Sequence, residues 1–173
     1  SQLGSDIDGE ASDDESGFSV SLAGNGTVVA VSAYQNNGNG SNAGHTRIYT
    51  WNGTTWNQLG SDIDGEAADD EGGYSIALSN DGNTIAIGAR LNDGNGTNSG
   101  QTRIYSWSGN TWSQLGSDID GEASDDESGF SVSLSDDGTT VAIGARQNDG
   151  NGTNSGHVRV FDLSATSSNP NIT

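Results

Sequence analysis

A heptapeptide, Ser-Asp-Ile-Asp-Gly-Glu-Ala, begins at residues 5, 61 and 117, so the chain repeats itself every 56 residues. Self-similarity at a fixed period of this length means one supersecondary unit built three times, each sealing its apolar face on a neighbour. The units run 5–60, 61–116 and 117–164. Residues 1–4 form a partial strand that closes the fold or is donated, and residues 165–173 read as a linker or exit tail. The third unit decays at its end. Where the others carry Trp-Asn-Gly-Thr-Thr-Trp and Trp-Ser-Gly-Asn-Thr-Trp, it runs from Leu163 into a polar stretch holding the sole proline, Pro170.

Within a unit the apolar period is two, the signature of strands. Strand A places Phe18, Val20 and Leu22 on one face, repeated as Tyr74, Ile76, Leu78 and as Phe130, Val132, Leu134. A short glycine turn follows (Gly24-Asn25-Gly26, Asp81-Gly82-Asn83, Asp137-Gly138) and then strand B, as in Thr84-Ile85-Ala86-Ile87-Gly88-Ala89. A loop rich in Asn and Gly leads to strand C at 45–51, 101–107 and 157–163. Asn52-Gly53 or Ser108-Gly109 then turns into strand D at 55–59 or 111–115. No segment has a helical period. The expected fold is all-β: three four-stranded antiparallel blades of the propeller type.

Composition alone argues otherwise. With 29% hydrophobic residues and a net charge of −19, an unpatterned chain would be read as disordered. The strict alternation overrides that reading. The same numbers exclude whole classes. No apolar run approaches the ~18 residues that span a bilayer, so no membrane span is expected. A chain with 24 acids, five arginines and no lysine repels phosphate, which excludes nucleic acid as a partner. Without cysteine there is no disulfide frame, zinc–thiolate site or thiol nucleophile. The sequence opens on Ser1 without a secretory leader and reads as a mature or excised segment.

Gly129-Phe130-Ser131-Val132, Asp137-Gly138, Val141-Ala142-Ile143-Gly144-Ala145 and Gly156-His157-Val158-Arg159-Val160 together resemble the FG-GAP repeat of integrin-alpha-type β-propellers. The resemblance covers about thirty residues of each unit and implies a propeller blade and a surface adhesion context. The order here is Gly-Phe, and Gly-Ala-Arg follows strand B where the family has Gly-Ala-Pro. The family's calcium loop between the first two strands is contracted to turns such as Asn80-Asp81-Gly82-Asn83, so its metal site does not transfer.

Strand parity puts the short A–B and C–D turns at one end of each blade and the long B–C and D–A loops at the other. Binding function sits on long loops held by a rigid sheet, so the long-loop end is the candidate working face. The D–A loops carry the acid: Asp6, Asp8, Glu10, Asp13, Asp14 and Glu15; Asp62, Asp64, Glu66, Asp69, Asp70 and Glu71; Asp118, Asp120, Glu122, Asp125, Asp126 and Glu127. Eighteen of the 24 acids in three loops repel one another, and hard cations with six to eight oxygen ligands relieve that repulsion. Calcium is the expected cofactor, and these are its candidate ligands. The competing reading is a solvated acidic surface suited to saline water.

Arg47, Arg103 and Arg159 open strand C and suit structural ion pairs with D–A carboxylates. Arg90 and Arg146 follow strand B, where the first unit has Tyr34. B–C loops such as Asn92–Gly100 read as self-satisfied turns, with a second cation or a sugar hydroxyl as the other reading. Trp51 with Trp56, and Trp107 with Trp112, flank the C–D turns and suit cross-strand packing, with a sugar platform as the alternative. The six Asn-X-Ser/Thr sequons, at Asn25, Asn39, Asn52, Asn95, Asn151 and Asn171, follow from turn composition. His45 and His157 are matched by Gln101, and no asymmetric nucleophile–base–acid set is present, so no enzyme is expected.

The expected function is an extracellular or cell-surface, calcium-binding propeller-type module for adhesion or self-assembly in a surface or filament structure. The alternative is a lectin-like propeller. Partners would be further copies through strand pairing, another extracellular protein, or a glycan. Ser1-Gln2-Leu3 matches the end of a D strand, Asn57-Gln58-Leu59, so strand order predicts that residues 1–4 of some chain fill the edge beside Arg159–Leu163.

Overall fold

The computed structural model describes residues 1–164. Each unit is an antiparallel sheet. The first comprises β1 (Val20–Leu22), β2 (Val28–Ala33), β3 (His45–Trp51), β4 (Trp56–Gln58) and β5 (Ile63–Asp64). The second comprises β6 (Gly72–Leu78), β7 (Thr84–Ala89), β8 (Gln101–Trp107), β9 (Trp112–Gln114) and β10 (Ile119–Asp120). In the third, β11 (Ser128–Leu134), β12 (Thr140–Ala145) and β13 (His157–Asp162) are ordered in sequence. Residues 165–173, read as the exit tail, lie outside the described residues.

In the first two blades the four expected strands are present with one addition, and among the described residues the third blade has three strands. The sequence reads as loop at β5 and β10, yet Ile63 pairs with Thr46 and Asp64 with His45, and Ile119 and Asp120 repeat this on Thr102 and Gln101. Strand D therefore runs in two pieces along strand C. The acidic loop begins inside the sheet.

Turn chemistry sets the register of each hairpin. Asp81 Oδ1 accepts bonds from Asn83 N (3.0 Å) and Ser79 Oγ (2.6 Å), while Gly82 takes a φ of +74°, open to glycine at no steric cost. These bonds hold the Asp81 carboxyl below its usual range. At the C–D turn, Asn52 Oδ1 accepts from Thr54 N and Thr55 N, both at 2.9 Å. That places Trp51 opposite Trp56 with ring centroids 5.3 Å apart, the cross-strand contact expected from the sequence.

The blades stack face to face with the A strands β1, β6 and β11 side by side. One core layer joins the first blade to the second through Ala30, Ile48, Ile76, Leu78, Ile85 and Ile87. The next joins the second to the third through Ala86, Ile104, Val141 and Ile143, with Val132 and Leu134 against it. The seam between blades is backbone against backbone. Gly72 N donates to Ala43 O at 2.8 Å, and Ser128 N donates to Ser99 O at 2.9 Å. A Cβ on Gly44 would collide with the Gly72 carbonyl, and Gly44 also has a φ of +77°, so both space and torsion require glycine there.

One repeat position then has opposite weight in different blades. Ile104 is 1% exposed between the second and third blades, whereas its equivalent Val160 is 64% exposed. We expect Ile104→Ala to cost about 2–5 kcal/mol in urea denaturation of the dilute protein. Val160→Ala should stay within about 0.5 kcal/mol. Equal costs would show that the third blade is sealed like the second.

Candidate functional site: the acidic end of the blades

The B–C loops and D–A segments meet at one end of the molecule, as strand parity predicts. The first two B–C loops each hold the D–A segment that follows. Asn39 Nδ2 donates to Gly65 O (2.8 Å) and Glu66 O (3.1 Å), and Asn95 Nδ2 donates to Gly121 O (2.8 Å) and Glu122 O (3.2 Å). Asn42 Nδ2 and Asn98 Nδ2 reach Asp69 and Asp125. These Asn-rich loops are clamps between blades.

Every acidic segment bends sharply, the unclamped first one like the other two. Asp13, Asp69 and Asp125 have φ near +65°, and Glu15, Glu71 and Glu127 lie between +51° and +56°, conformations that L-residues hold only when surrounding bonds impose them. Between each such pair a buried aspartate is fixed by an amide: Asn36, Asn92 and Asn148 donate Nδ2 to Asp14 (2.8 Å), Asp70 (2.9 Å) and Asp126 (2.9 Å). Burial pushes the Asp70 carboxyl above its ordinary range in spite of the bonds from Asn92 and Ala67 N. The sequence flagged the aspartates but not their amide partners, which lie 22 residues away.

Arginines engage much of the remaining acid. Arg47 pairs with Glu10 and, through Nε, with Asp62 at 3.1 Å, while Gln58 Nε2 also donates to Asp62. Burial works against the Asp62 carboxylate, but the Arg47 and Gln58 bonds outweigh it and hold the group below its usual range. Arg103 approaches Glu66 at 3.7 Å and Arg159 approaches Glu122 at 3.9 Å, so all three strand-C arginines face a D–A acid. The sequence missed a second ladder beside the A strands. Arg90 Nε donates to Glu71 (2.6 Å) and its Nη1 reaches Glu127 (3.4 Å), which Arg146 Nε (2.9 Å) and Gln147 also engage. Arg90 and Arg146 lie over the rings of Tyr74 and Phe130, each at 4.3 Å, and Tyr34 completes an aromatic row with Phe18 and Tyr74.

Two groupings remain where acid converges with less compensation. Glu10, His45 and Asp62 bring ligand atoms within 4.8 Å of one another, but Arg47 binds both carboxylates of that set. In the second blade the equivalent of His45 is Gln101, 2% exposed. Its Nε2 donates to Glu66 (3.1 Å) and contacts Asp120 (3.5 Å), while its Oε1 is buried without a hydrogen-bond partner among the described residues. No hydrogen bond or ion pair among the described residues reaches the carboxylates of Asp8, Asp13 or Asp64. The eighteen acids therefore divide: some bind Asn, some bind Arg, and a few converge on neutral amides or stand in solvent.

Two equivalent clefts open where the start of a unit's D–A segment meets that unit's own C–D hairpin. One, of about 270 Å³, is lined by Asp62, Asp64, Tyr105, Thr111 and Trp112. The other, of about 310 Å³, is lined by Asp6, Asp8, Tyr49, Thr55 and Trp56. Their indole N–H groups point away, Trp112 Nε1 to Leu59 O (2.8 Å) and Trp56 Nε1 to Leu3 O (3.0 Å). Leu3, read as an element that closes the fold or is donated, thus contacts its own first unit as Leu59 contacts the second.

The shifted carboxyls give opposite acid responses. Asp62, held low, stabilises the fold at neutral pH, and that contribution is lost as pH falls through its depressed pKa. Asp70, held high, takes up its proton earlier in the folded state, so its contribution becomes more favourable as pH falls. From about pH 6 to about pH 3, Asp62→Asn should lose less stability than the parent chain in urea titrations, and Asp70→Asn should lose more. Parallel curves for all three would contradict these assignments.

A model of the FG-GAP repeat matches residues 62–105 and 118–161, about half of the chain. No curated protein matches the sequence. Among solved structures, a candidate 6-phosphogluconolactonase of Bacteroides fragilis aligns with TM-score 0.55 and 10% identity over 83% of this chain and 33% of its own. Hydrazine synthase of Kuenenia stuttgartiensis aligns at 0.53 and 10% over 94% and 37%. The periplasmic gluconolactonase of Pseudomonas aeruginosa aligns at 0.53 and 14% over 83% and 38%. The chain thus spans little more than a third of these proteins, and at such identities the likeness is one of β-propeller fold alone. With two of its three units matched by the repeat model and the third built on the same plan, the chain belongs to the FG-GAP repeat family.

Proposed function

We propose that this chain is a calcium-binding propeller module that serves adhesion or assembly outside the cell and is not an enzyme. FG-GAP repeats are typical of extracellular and surface proteins, and the net charge of −19 suits a divalent-rich or saline medium. Among the described residues no helix is long and apolar enough to cross a membrane. The observation that carries the calcium reading is Gln101. Its buried carbonyl oxygen has no donor, and the carboxylates of Glu66 and Asp120 converge on the same amide. The nitrogen end of the amide meets those carboxylates, and with the amide turned end for end its oxygen joins them, so that calcium, which takes carbonyl and carboxylate oxygens together, would bridge the three groups and offset their repulsion. Arg47 binds both carboxylates of the His45 grouping, whereas beside Gln101 Arg103 stands 3.7 Å from Glu66 and no ion pair among the described residues reaches the Asp120 carboxylate.

Calcium that binds only the folded chain raises its melting midpoint by mass action, by roughly 5–10 °C at about a hundredfold excess over Kd. Differential scanning calorimetry in calcium and in excess chelator checks this, with magnesium and sodium as controls. Gln101→Ala and Glu66→Gln should each remove most of the shift. Equal midpoints in calcium and chelator would refute the reading.

The paired clefts favour one second reading, a lectin-like module. Each cleft combines two aspartates, a threonine, a tyrosine and a tryptophan, groups that hold sugar hydroxyls and pack a pyranose face. A glycan array separates the two. Binding that Asp62→Ala with Asp64→Ala abolishes, in calcium and in chelator alike, would favour the lectin.

A further inference from the structure

The large apolar side chains left exposed among the described residues are Leu3, Phe18, Val20, Leu22, Val158 and Val160, and all lie on the two outer faces of the stack. The repeat equivalents of Val20, Leu22, Val158 and Val160 are buried or half-buried. Ile76 and Leu78 are 7% and 8% exposed where Val20 and Leu22 are 63% and 60%. Ile48 and Ile104 are 0% and 1% exposed where Val160 is 64%. The first blade presents the face that every later blade turns to its predecessor. The third presents the face that every earlier blade turns to its successor. The chain forms this contact twice within itself, so the two outer faces are complementary.

Polar groups tell the same story. Gly40 and Gly96 lie against Ala68 and Ser124 of the next segment, whereas Gly152 faces open space. Asn39 and Asn95 clamp the following D–A segment, and their equivalent Asn151 makes no such bond among the described residues. In the third blade His157 Nε2 and Arg159 Nε are buried without hydrogen-bond partners. At the opposite face, the D–A segment at 5–16 has no loop to clamp it: Gly9 meets only Ser16, while Gly65 and Gly121 sit on the carbonyls of Ala43 and Ser99.

Deepening the assembly half of the proposed function and resting on it, we propose that the outer faces seal each other between two copies of this chain, head to tail. The contact repeats the internal seam. The second copy's Ile7 and Asp8 pair with Val158 and His157, as Ile63 and Asp64 pair with Thr46 and His45. Asn151 clamps the second copy's Gly9 and Glu10 carbonyls. Asp136 N donates to the second copy's Gly24 O, as Gly24 N donates to Asn80 O and Asn80 N to Asp136 O. Two such contacts related by a two-fold axis close a ring of six blades, within the four to eight that propellers use, whereas three or nine fall outside it. Close approach of two strongly acidic chains makes the contact salt-dependent, tightening as added salt screens their repulsion.

Sedimentation equilibrium of the full chain over a concentration series, in calcium and in chelator, tests this. The expected mass is twice the 17.6 kDa of one chain, with the dissociation constant falling as sodium chloride rises. Val160→Arg and Leu22→Arg should each weaken the dimer at least tenfold while the circular dichroism spectrum stays that of the parent. Because each carries one undamaged face, mixing the two variants should restore association between unlike chains, read by native mass spectrometry with one variant isotope-labelled. A chain that stays monomeric at millimolar concentration would overturn the proposal, as would masses that climb beyond two chains or a dimer insensitive to Val160→Arg. A dimer that forms equally in chelator, with no calcium effect on melting, would remove calcium and leave this contact standing.

Discussion

Along each seam the backbone of one blade lies directly on that of the next, at Ala43–Gly44 against Gly72 and at Ser99–Gly100 against Ser128, with no room for a side chain at the glycines. This approach brings Ile48 and Ala30 onto Ile76 and Ile85, and Ile104 and Ala86 onto Val141 and Ile143. Small residues on one face and branched ones on the other let sheets with few large apolar residues still build a dry core. A composition that reads as disordered folds because its apolar residues gather at two seams.

The acidic end follows from the same contact. Holding the blades close brings the second and third D–A segments under the preceding B–C loops, where Asn42 and Asn98 reach Asp69 and Asp125. It also lines up Glu71, Arg90, Glu127 and Arg146 beside the A strands. Much of the negative charge is thus part of the joinery between blades. The acids that this joinery leaves over are the smaller set facing Gln101 and those that stand in solvent.

Much of this was legible in the sequence. The 56-residue spacing marked the units, and alternation at Tyr74, Ile76 and Leu78 marked the inner strand. Asn-Gly and Asp-Gly turns gave the hairpins, and the recurring arginine of strand C met the acid expected of it. β5 and β10 were not legible, because two residues are too few to show a period and their Asp-Ile-Asp surroundings read as acidic loop. Nor were the amide partners of Asp14, Asp70 and Asp126, since nothing local distinguishes Asn36 from other asparagines in a turn-rich loop. Glu15, Glu71 and Glu127 in left-handed backbone run against their propensity, and each closes a local turn that its own residue type does not announce. Phe18, Val20 and Leu22 read as core, and pattern cannot reveal that the blade that would cover them is not part of the described stack.

The claim on which all of this rests is that stability resides in the seams, so a blade is as firm as the number of faces it has covered. Hydrogen exchange on the monomeric chain, at a dilution where its mass is that of one molecule, tests it strand by strand. The account predicts the slowest exchange in β6, β7 and β8, covered on both sides, with β1 and β13 exchanging fastest among the paired strands. Equal protection in all three blades of the monomer would contradict it.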